Sequence, residues 1–204
     1  MKIRVPLAKA IVLLPFLSVP LAALHAAAST DIAPVGFRVQ LDTLSTGFDK
    51  KTCWVHPRAG VIPGRTPSVV LTMQKLLLTG SDVFYALNEM RTDDLGKTWT
   101  GPAEHRDTLG RRNEPDGDVV AVCDFTPKWH AGSGTLLGTG HTVRYVNDKI
   151  APNRACETAY STYDPAKRAW TPWATLEMPD QVKFRRAGAG STQRFDLQNG
   201  DILL

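Results

Sequence analysis

Beyond Ser29 the apolar and polar positions follow no helical period. Short runs of β-branched and aromatic residues alternate with Gly, Pro, Asp and Asn, which is the pattern of an all-β chain. The runs also recur. Ser68–Gln74, Lys75–Asp82 and Val83–Arg91 read as three strands, followed by a polar turn and Thr98-Trp99. Val119–Phe125, Gly134–His141 and Glu157–Thr162 repeat the series, followed by a second polar turn and Ala169-Trp170. A third copy opens at Gly190–Phe195, turns at Gln198-Asn199-Gly200 and continues into Asp201–Leu204.

Each full copy is therefore read as four strands, a to d, joined by turns. Trp99 and Trp170 are 71 residues apart, more than the roughly 40–50 residues of a minimal four-stranded unit. The excess falls in two loops, 101–117 and 146–156. Four-stranded units repeated in this way predict a β-propeller. The last residues form an apolar run, and a propeller must close its ring to bury its blade faces. The expectation is an N-terminal fragment of a longer protein: two blades and the start of a third.

The first 28 residues read differently. Lys2, Arg4 and Lys9 precede a run from Ala10 to Leu24 that only Ser18 interrupts, and Ala26-Ala27-Ala28 then offers a small-residue cleavage site. The run is too short and too broken by Pro15 and Pro20 to span a membrane. These features predict a signal peptide at 1–28, a lead-in segment at 29–53, a propeller region at 54–204 and a secreted or periplasmic location. Removing the signal takes three positive charges and no acidic one, leaving +1 of the chain's +4. A nearly neutral chain without a Lys/Arg-rich run gives no case for nucleic acid.

Other motifs add little. Cys53, Cys123 and Cys156 match no zinc spacing, and His56, His105 and His130 lack ligand spacing, so no metal and no cofactor are expected. Cys123 lies in an apolar strand and reads as a buried thiol; a Cys53–Cys156 bridge is left open. Gly132-Ser133-Gly134 and Gly188-Ala189-Gly190 lack the strand–helix setting of a phosphate loop.

The strongest motif lies between strands c and d. Thr92-Asp93-Asp94-Leu95-Gly96-Lys97-Thr98-Trp99 fits Ser/Thr-x-Asp-x-Gly-x-Thr-Trp. The Asp carboxylate can accept from the turn's own amides, Gly96 permits positive φ and Trp99 can pack under the hairpin. The turn at Thr162–Trp170 keeps Asp164 and Trp170, with one extra residue and no Gly. The motif resembles the Asp box of the sialidase (neuraminidase) superfamily. That resemblance implies a sialidase-like propeller, six-bladed when complete, with its Asp boxes on the face away from the substrate.

The opposite face then carries the chemistry. Arg58, Arg65, Asp82, Glu114, Asp116, His141, Arg144, Tyr145, Arg185 and Arg186 are expected there, with Asp82 and His141 at the same repeat position. Arg65-Thr66-Pro67 resembles the Arg-Ile-Pro that opens the family's first blade. By that resemblance Arg65 is the first of three arginines that clamp a substrate carboxylate, a task suited to the two-bond guanidinium fork; Arg58 competes for the role. Asp82 falls in the interval of the family's acid/base Asp, while the tyrosine nucleophile is expected beyond Leu204. The implied function is exo-sialidase-type hydrolysis of a glycan bearing sialic acid or a related acidic sugar. Two other classes stay open: a non-catalytic propeller that binds glycans or proteins, and a different hydrolase that uses His141 and Arg144.

Overall fold

The computed structural model describes residues 36–78, 80, 82–191 and 194–204. The predicted signal peptide and the first part of the lead-in lie outside them. The chain divides into two units, Met1–Leu41 and Asp42–Leu204. In the first, residues 36–41 are exposed and carry no regular secondary structure. No helix among the described residues is long and apolar enough to cross a membrane.

The second unit is all-β, built of antiparallel sheets, none of them closed. β1 (Thr52–Ile62), β2 (Ser68–Leu77), β3 (Val83–Thr92) and β4 (Thr100–Glu104) form a four-stranded meander in chain order. The one-turn helix α1 (Arg106–Leu109) and the short β5 (Arg112–Asn113) lead to the second sheet. There β6 (Val119–His130) and β7 (Thr135–Val146) pair, with β8 (Lys149–Ile150) on the end of β7. β9 (Thr158–Asp164) follows on β7, and both β10 (Ala169–Trp170) and β11 (Ala174–Thr175) pair with β9. A last small hairpin joins β12 (Phe195–Asp196) to β13 (Ile202–Leu203).

Two strand assignments from the sequence need correction. β2 runs unbroken from Ser68 to Leu77, so Gln74-Lys75 is not a strand break. Gln74 reads as polar but is fully buried, and its amide donates to Val122 O at 2.6 Å and Tyr85 O at 3.0 Å. The first strand of the first sheet is therefore β1, which lies largely in the segment read as a loop and lead-in. The loop expected at 101–117 also contains most of β4, together with α1 and β5.

The two sheets stack through two apolar clusters. Ile62, Val70 and Leu87 of the first sheet meet Val122, Phe125, Leu136, Tyr163 and Trp170 of the second. Val83 and Phe84 meet Ala121, Cys123, Val143 and Tyr145. Gly138 leaves room for the Phe125 ring; an added Cβ would lie 2.0 Å from its Cζ. Several polar groups inside this interface find partners across it, which offsets the cost of burying them. Tyr145 Oη accepts from the Phe84 amide at 3.0 Å and donates to Asp82 O at 2.8 Å. Glu89, 9 % exposed, accepts from Trp170 Nε1 at 2.8 Å and Tyr163 Oη at 3.2 Å, and meets His105 Nε2 at 3.1 Å.

Tyr145 tests how the sheets are joined. Tyr145→Phe is expected to lower the urea midpoint by the equivalent of about 1–3 kcal/mol, the cost of leaving a buried amide unpaired. An unchanged midpoint would show that this hydroxyl does not tie the sheets together.

Candidate functional site

The meanders give the stacked sheets two distinct ends. The β1–β2, β3–β4, β6–β7 and β9–β10 turns lie at one end, called here the turn end. The β2–β3 and β7–β9 loops lie at the other, the loop end. The sheets stack in the same sense: Arg168 of the β9–β10 turn pairs with Asp93 of the β3–β4 turn at 3.1 Å, and Tyr145 near the end of β7 bonds the β2–β3 loop.

Toward the loop end, β1 and β6 carry matching bulges. The pairing register shifts between Val55 and Arg58 in β1 and between Cys123 and Thr126 in β6. His56 (φ 53°) and Asp124 (φ 50°) hold the same unusual backbone conformation at these points. Residues held at positive φ in a bulge redirect a side chain out of the regular alternation. Val55 pairs with Gln74 and Cys123 with His141, so Gln74 and His141 occupy equivalent places in the two sheets. Asp82 is not the repeat counterpart of His141 as the sequence suggested, because it lies in the loop beyond β2.

The bulges bring together one cluster. Asp124 Oδ1 lies 3.4 Å from His56 Nε2 and 3.3 Å from Arg58 Nη2, and its Oδ2 lies 3.9 Å from His141 Nδ1. Arg58 Nη2 also donates to Ser191 Oγ at 3.0 Å. His141 Nε2 faces Cys123 Sγ at 3.1 Å. The side chains of Asp124 and His141 are 18 % and 19 % exposed, so the cluster is a partly covered recess. Gly188 and Gly190 lie directly against His141: a Cβ on Gly190 would fall 1.6 Å from Nδ1. The glycine pair thus allows close backbone approach over an imidazole. Burial lowers the pKa of His141, opposed by the Asp124 charge and assisted by Arg154 and His56. Burial, with the nearby Asp124 and Cys156, pushes the Cys123 thiol well up. All three cysteines are free. Cys123 is buried, as expected, and the Cys53–Cys156 bridge does not form.

The remaining candidates are dispersed. Asp82 is exposed at the loop end, in the β2–β3 loop, with φ 49° and its carbonyl held by Tyr145. Phe84, two residues on, stacks near His56 with ring centroids 5.1 Å apart. Arg65 is exposed in the β1–β2 turn, at the turn end, away from the cluster. The sequence placed it on the substrate face because Ser68 was read as the start of strand a; with β1 as strand a, Arg58 is the arginine on the opening strand. Arg144 bonds Asp118 at 3.0 Å and Asp116 at 2.8 Å, which raise its pKa. Glu114 stands 3.9 Å from Arg112, and Arg185 bonds Asn153 O. Arg186 is exposed. Sequence reading missed Asp124 and passed over His56 and Ser191. The only available signal was the position of Asp124 between the apolar Cys123 and Phe125.

At the turn end the residues of the Thr92–Trp99 motif close their own hairpin. Asp94 accepts from Thr98 N at 2.9 Å, Thr98 Oγ1 at 2.7 Å and Thr92 Oγ1 at 2.8 Å. Thr92 Oγ1 in turn accepts from Gly96 N, and Gly96 has φ 89°. Trp99 is half-buried, whereas Trp170 is 3 % exposed in the core. The second hairpin has no extra residue. Arg91 pairs with Thr100, and Thr171 N donates to Thr162 O, each 71 residues later. This register aligns Asp164 with Asp93, not with Asp94. Asp164 serves its own turn by accepting from Ala166 N and Lys167 N.

No protein-family model matches the chain, and neither a curated protein nor a solved structure is found to match it.

The Asp94 bonds make a pH prediction. Thr98 N–H, then the Thr98 and Thr92 hydroxyls, lower the Asp94 pKa from 3.8 to about 2. A depressed carboxylate stabilises the fold above its unfolded value, and that contribution is lost as pH falls through its folded value. Asp94→Asn should therefore lower the melting temperature at neutral pH, with the gap from wild type closing between 3.8 and about 2. A gap independent of pH across that window would show that the Asp94 charge does not carry the effect.

Proposed function

We propose that the two stacked meanders are blades of a sialidase-like β-propeller. On this reading the chain belongs to an exported glycosidase that removes terminal sialic acid or a related acidic sugar from glycans. The observation that carries the reading is the position of Arg58. It lies on the opening strand of the first meander, beside Asp124, His56 and His141, and away from the Asp94 hairpin. This is the separation expected if the Asp-box end is structural and the loop end takes substrate. The four-stranded meander and the run β6-β7-β9-β10 within the seven-stranded second sheet, stacked in the same sense, support the blade arrangement.

The roles follow from chemistry. The Arg58 guanidinium binds the sugar carboxylate through paired hydrogen bonds, a geometry that an ammonium cannot reproduce. Asp124 and Ser191 hold it in place at 3.3 and 3.0 Å. Asp82, exposed at the same end, donates a proton to the leaving oxygen. His141 stays neutral under the lowered pKa that burial imposes, so it accepts or relays a proton and adds no fixed positive charge. Export rests on the pattern of residues 1–28, and intact-mass measurement of the secreted protein should find Ser29 as its first residue.

Kinetics of the full-length protein on a sialylated oligosaccharide and on the matching aryl glycoside test the assignment. Arg58→Lys should raise KM for acidic sugars more than it lowers kcat. Asp82→Asn should lower kcat on the oligosaccharide by about 10²–10⁴-fold, the usual worth of general acid help. It should matter less for the aryl glycoside, whose leaving group needs little protonation. Equal turnover of Asp82→Asn and wild type on the oligosaccharide would remove Asp82 from the mechanism. An inactive wild type on every acidic glycoside, with sugar binding retained, would favour a glycan-binding propeller.

A further inference from the structure

The cluster at the loop end also contains a metal donor set, in which Cys123 has no task in the glycosidase reading while Asp124 and His141 serve it in other ways. One donor atom each from Cys123, Asp124 and His141 lies within 4.8 Å of the others. These residues are not near one another in any zinc-like sequence spacing. Topology assembles them: His141 lies opposite Cys123 in the β6–β7 pairing, and the bulge turns Asp124 toward the same side. In a regular strand, Cys123 and Asp124 would point to opposite faces of the sheet. The positive φ at Asp124 brings them together.

We propose that Cys123 Sγ, His141 Nε2 and a carboxylate oxygen of Asp124 form a three-ligand site for a divalent metal of the zinc type, with a fourth position open toward the recess. The donor types select the metal class. A thiolate with an imidazole and a carboxylate suits zinc, cobalt(II) or iron(II), and argues against magnesium and calcium, which take oxygen ligands. The spacing agrees. Sulfur and nitrogen bound to one tetrahedral zinc stand about 3.5 Å apart, and here they stand at 3.1 Å, a few tenths of an ångström closer. Three protein ligands and an open fourth position are the arrangement of a zinc that meets substrate or water, not of a closed structural site.

The surroundings orient the carboxylate, as partners of metal-bound groups commonly do. His56 Nε2 and Arg58 Nη2 both approach Oδ1 of Asp124, while Oδ2 faces His141. With Oδ1 engaged by these two groups, Oδ2 is the oxygen left for a metal. Cys123 is fully buried and forms the floor, while the partly exposed Asp124 and His141 form the rim. Metal binding replaces the thiol proton, which leaves to solvent, so the metal carries the charge that a buried thiolate could not bear alone. The site goes beyond the glycosidase reading, and with metal bound His141 would be a ligand and not the proton relay of that reading.

Cobalt(II) titration of the reduced, chelator-stripped full-length protein tests the proposal. The expected result is a thiolate-to-cobalt charge-transfer band that saturates at one equivalent and is displaced by zinc. Cys123→Ser should abolish the band, whereas Cys53→Ser and Cys156→Ser should retain it. If Cys123→Ser does not fold, His141→Gln and Asp124→Asn carry the test, each weakening cobalt binding at least tenfold with the circular-dichroism spectrum unchanged. No band in the wild type, or a band that survives Cys123→Ser, overturns the site. A stripped enzyme that hydrolyses sialosides without binding cobalt would overturn the metal site and leave the glycosidase reading standing.

Discussion

The bulge at Asp124-Phe125 is the feature on which both halves of the molecule depend. Phe125 turns inward, 1 % exposed, with its ring seated on Gly138 and edge-on to Trp170 at 5.3 Å. Asp124 turns the other way, into the recess with His56, Arg58 and His141. In a regular strand, adjacent residues also face opposite sides, but Cys123 and Asp124 would then be separated. The extra residue resolves the conflict: Cys123 remains in the core while Asp124 reaches the imidazole that Cys123 also faces. Positive φ in a non-glycine residue costs of order 1 kcal/mol or more. The burial of Phe125 is large enough to hold that conformation, since losing such a side chain from a core typically costs about 3–5 kcal/mol.

A second coupling runs through Glu89. A carboxylate this buried is tolerated only when its lone pairs are taken up. Beyond His105, which follows β4, its partners come from the second sheet: the Trp170 indole and the Tyr163 hydroxyl. Tyr163 also accepts from Arg91 at 3.0 Å, so Arg91 and Glu89 share one phenol. Removing one member strands the others in the interface. The two repeats thus form one cooperative body through a few directional bonds as well as through apolar area. Arg194 performs a similar service for the third repeat, with its guanidinium bonding Leu137 O, Lys128 O and Trp129 O from the second sheet.

Composition and alternation made the β class legible, and self-similarity separated the chain into the stretches that form its two larger sheets, of four and seven strands. Both readings rest on side-chain types that report the strand state directly. The boundaries failed where a polar residue was buried. Gln74 looks like a turn because its amide is polar, yet its amide bonds carbonyls of Tyr85 and Val122. That one misreading moved strand a from β1 to β2 and carried the favoured arginine from Arg58 to Arg65. The hairpin of Asp94 was legible because its bonds are local, within residues 92–98. The recess was not, because its members come from β1, β6, β7 and residues 188–191. Asp124 carries no mark in the sequence beyond a charge inside an apolar run, between Cys123 and Phe125.

That distribution also bears on how the recess is controlled. His141 is covered by Gly188 and Gly190, whose added Cβ atoms would strike its ring or its Cβ. Ser191, at φ 56°, bonds the same Arg58 nitrogen that meets Asp124. The segment entering the third repeat thus touches both the imidazole and the guanidinium. A shift of this segment would uncover His141 and release one of Arg58's bonds at the same time. Phe125, Tyr145 and Glu89 tie together the sheets that carry β1 and β6, while the covering segment is seated through Ala189, 4 % exposed, and the Ser191 bond to Arg58. Of the site's parts, the floor is set by the core and the cover by a turn. The cover over His141 and one bond of Arg58 therefore come from the same short stretch of backbone.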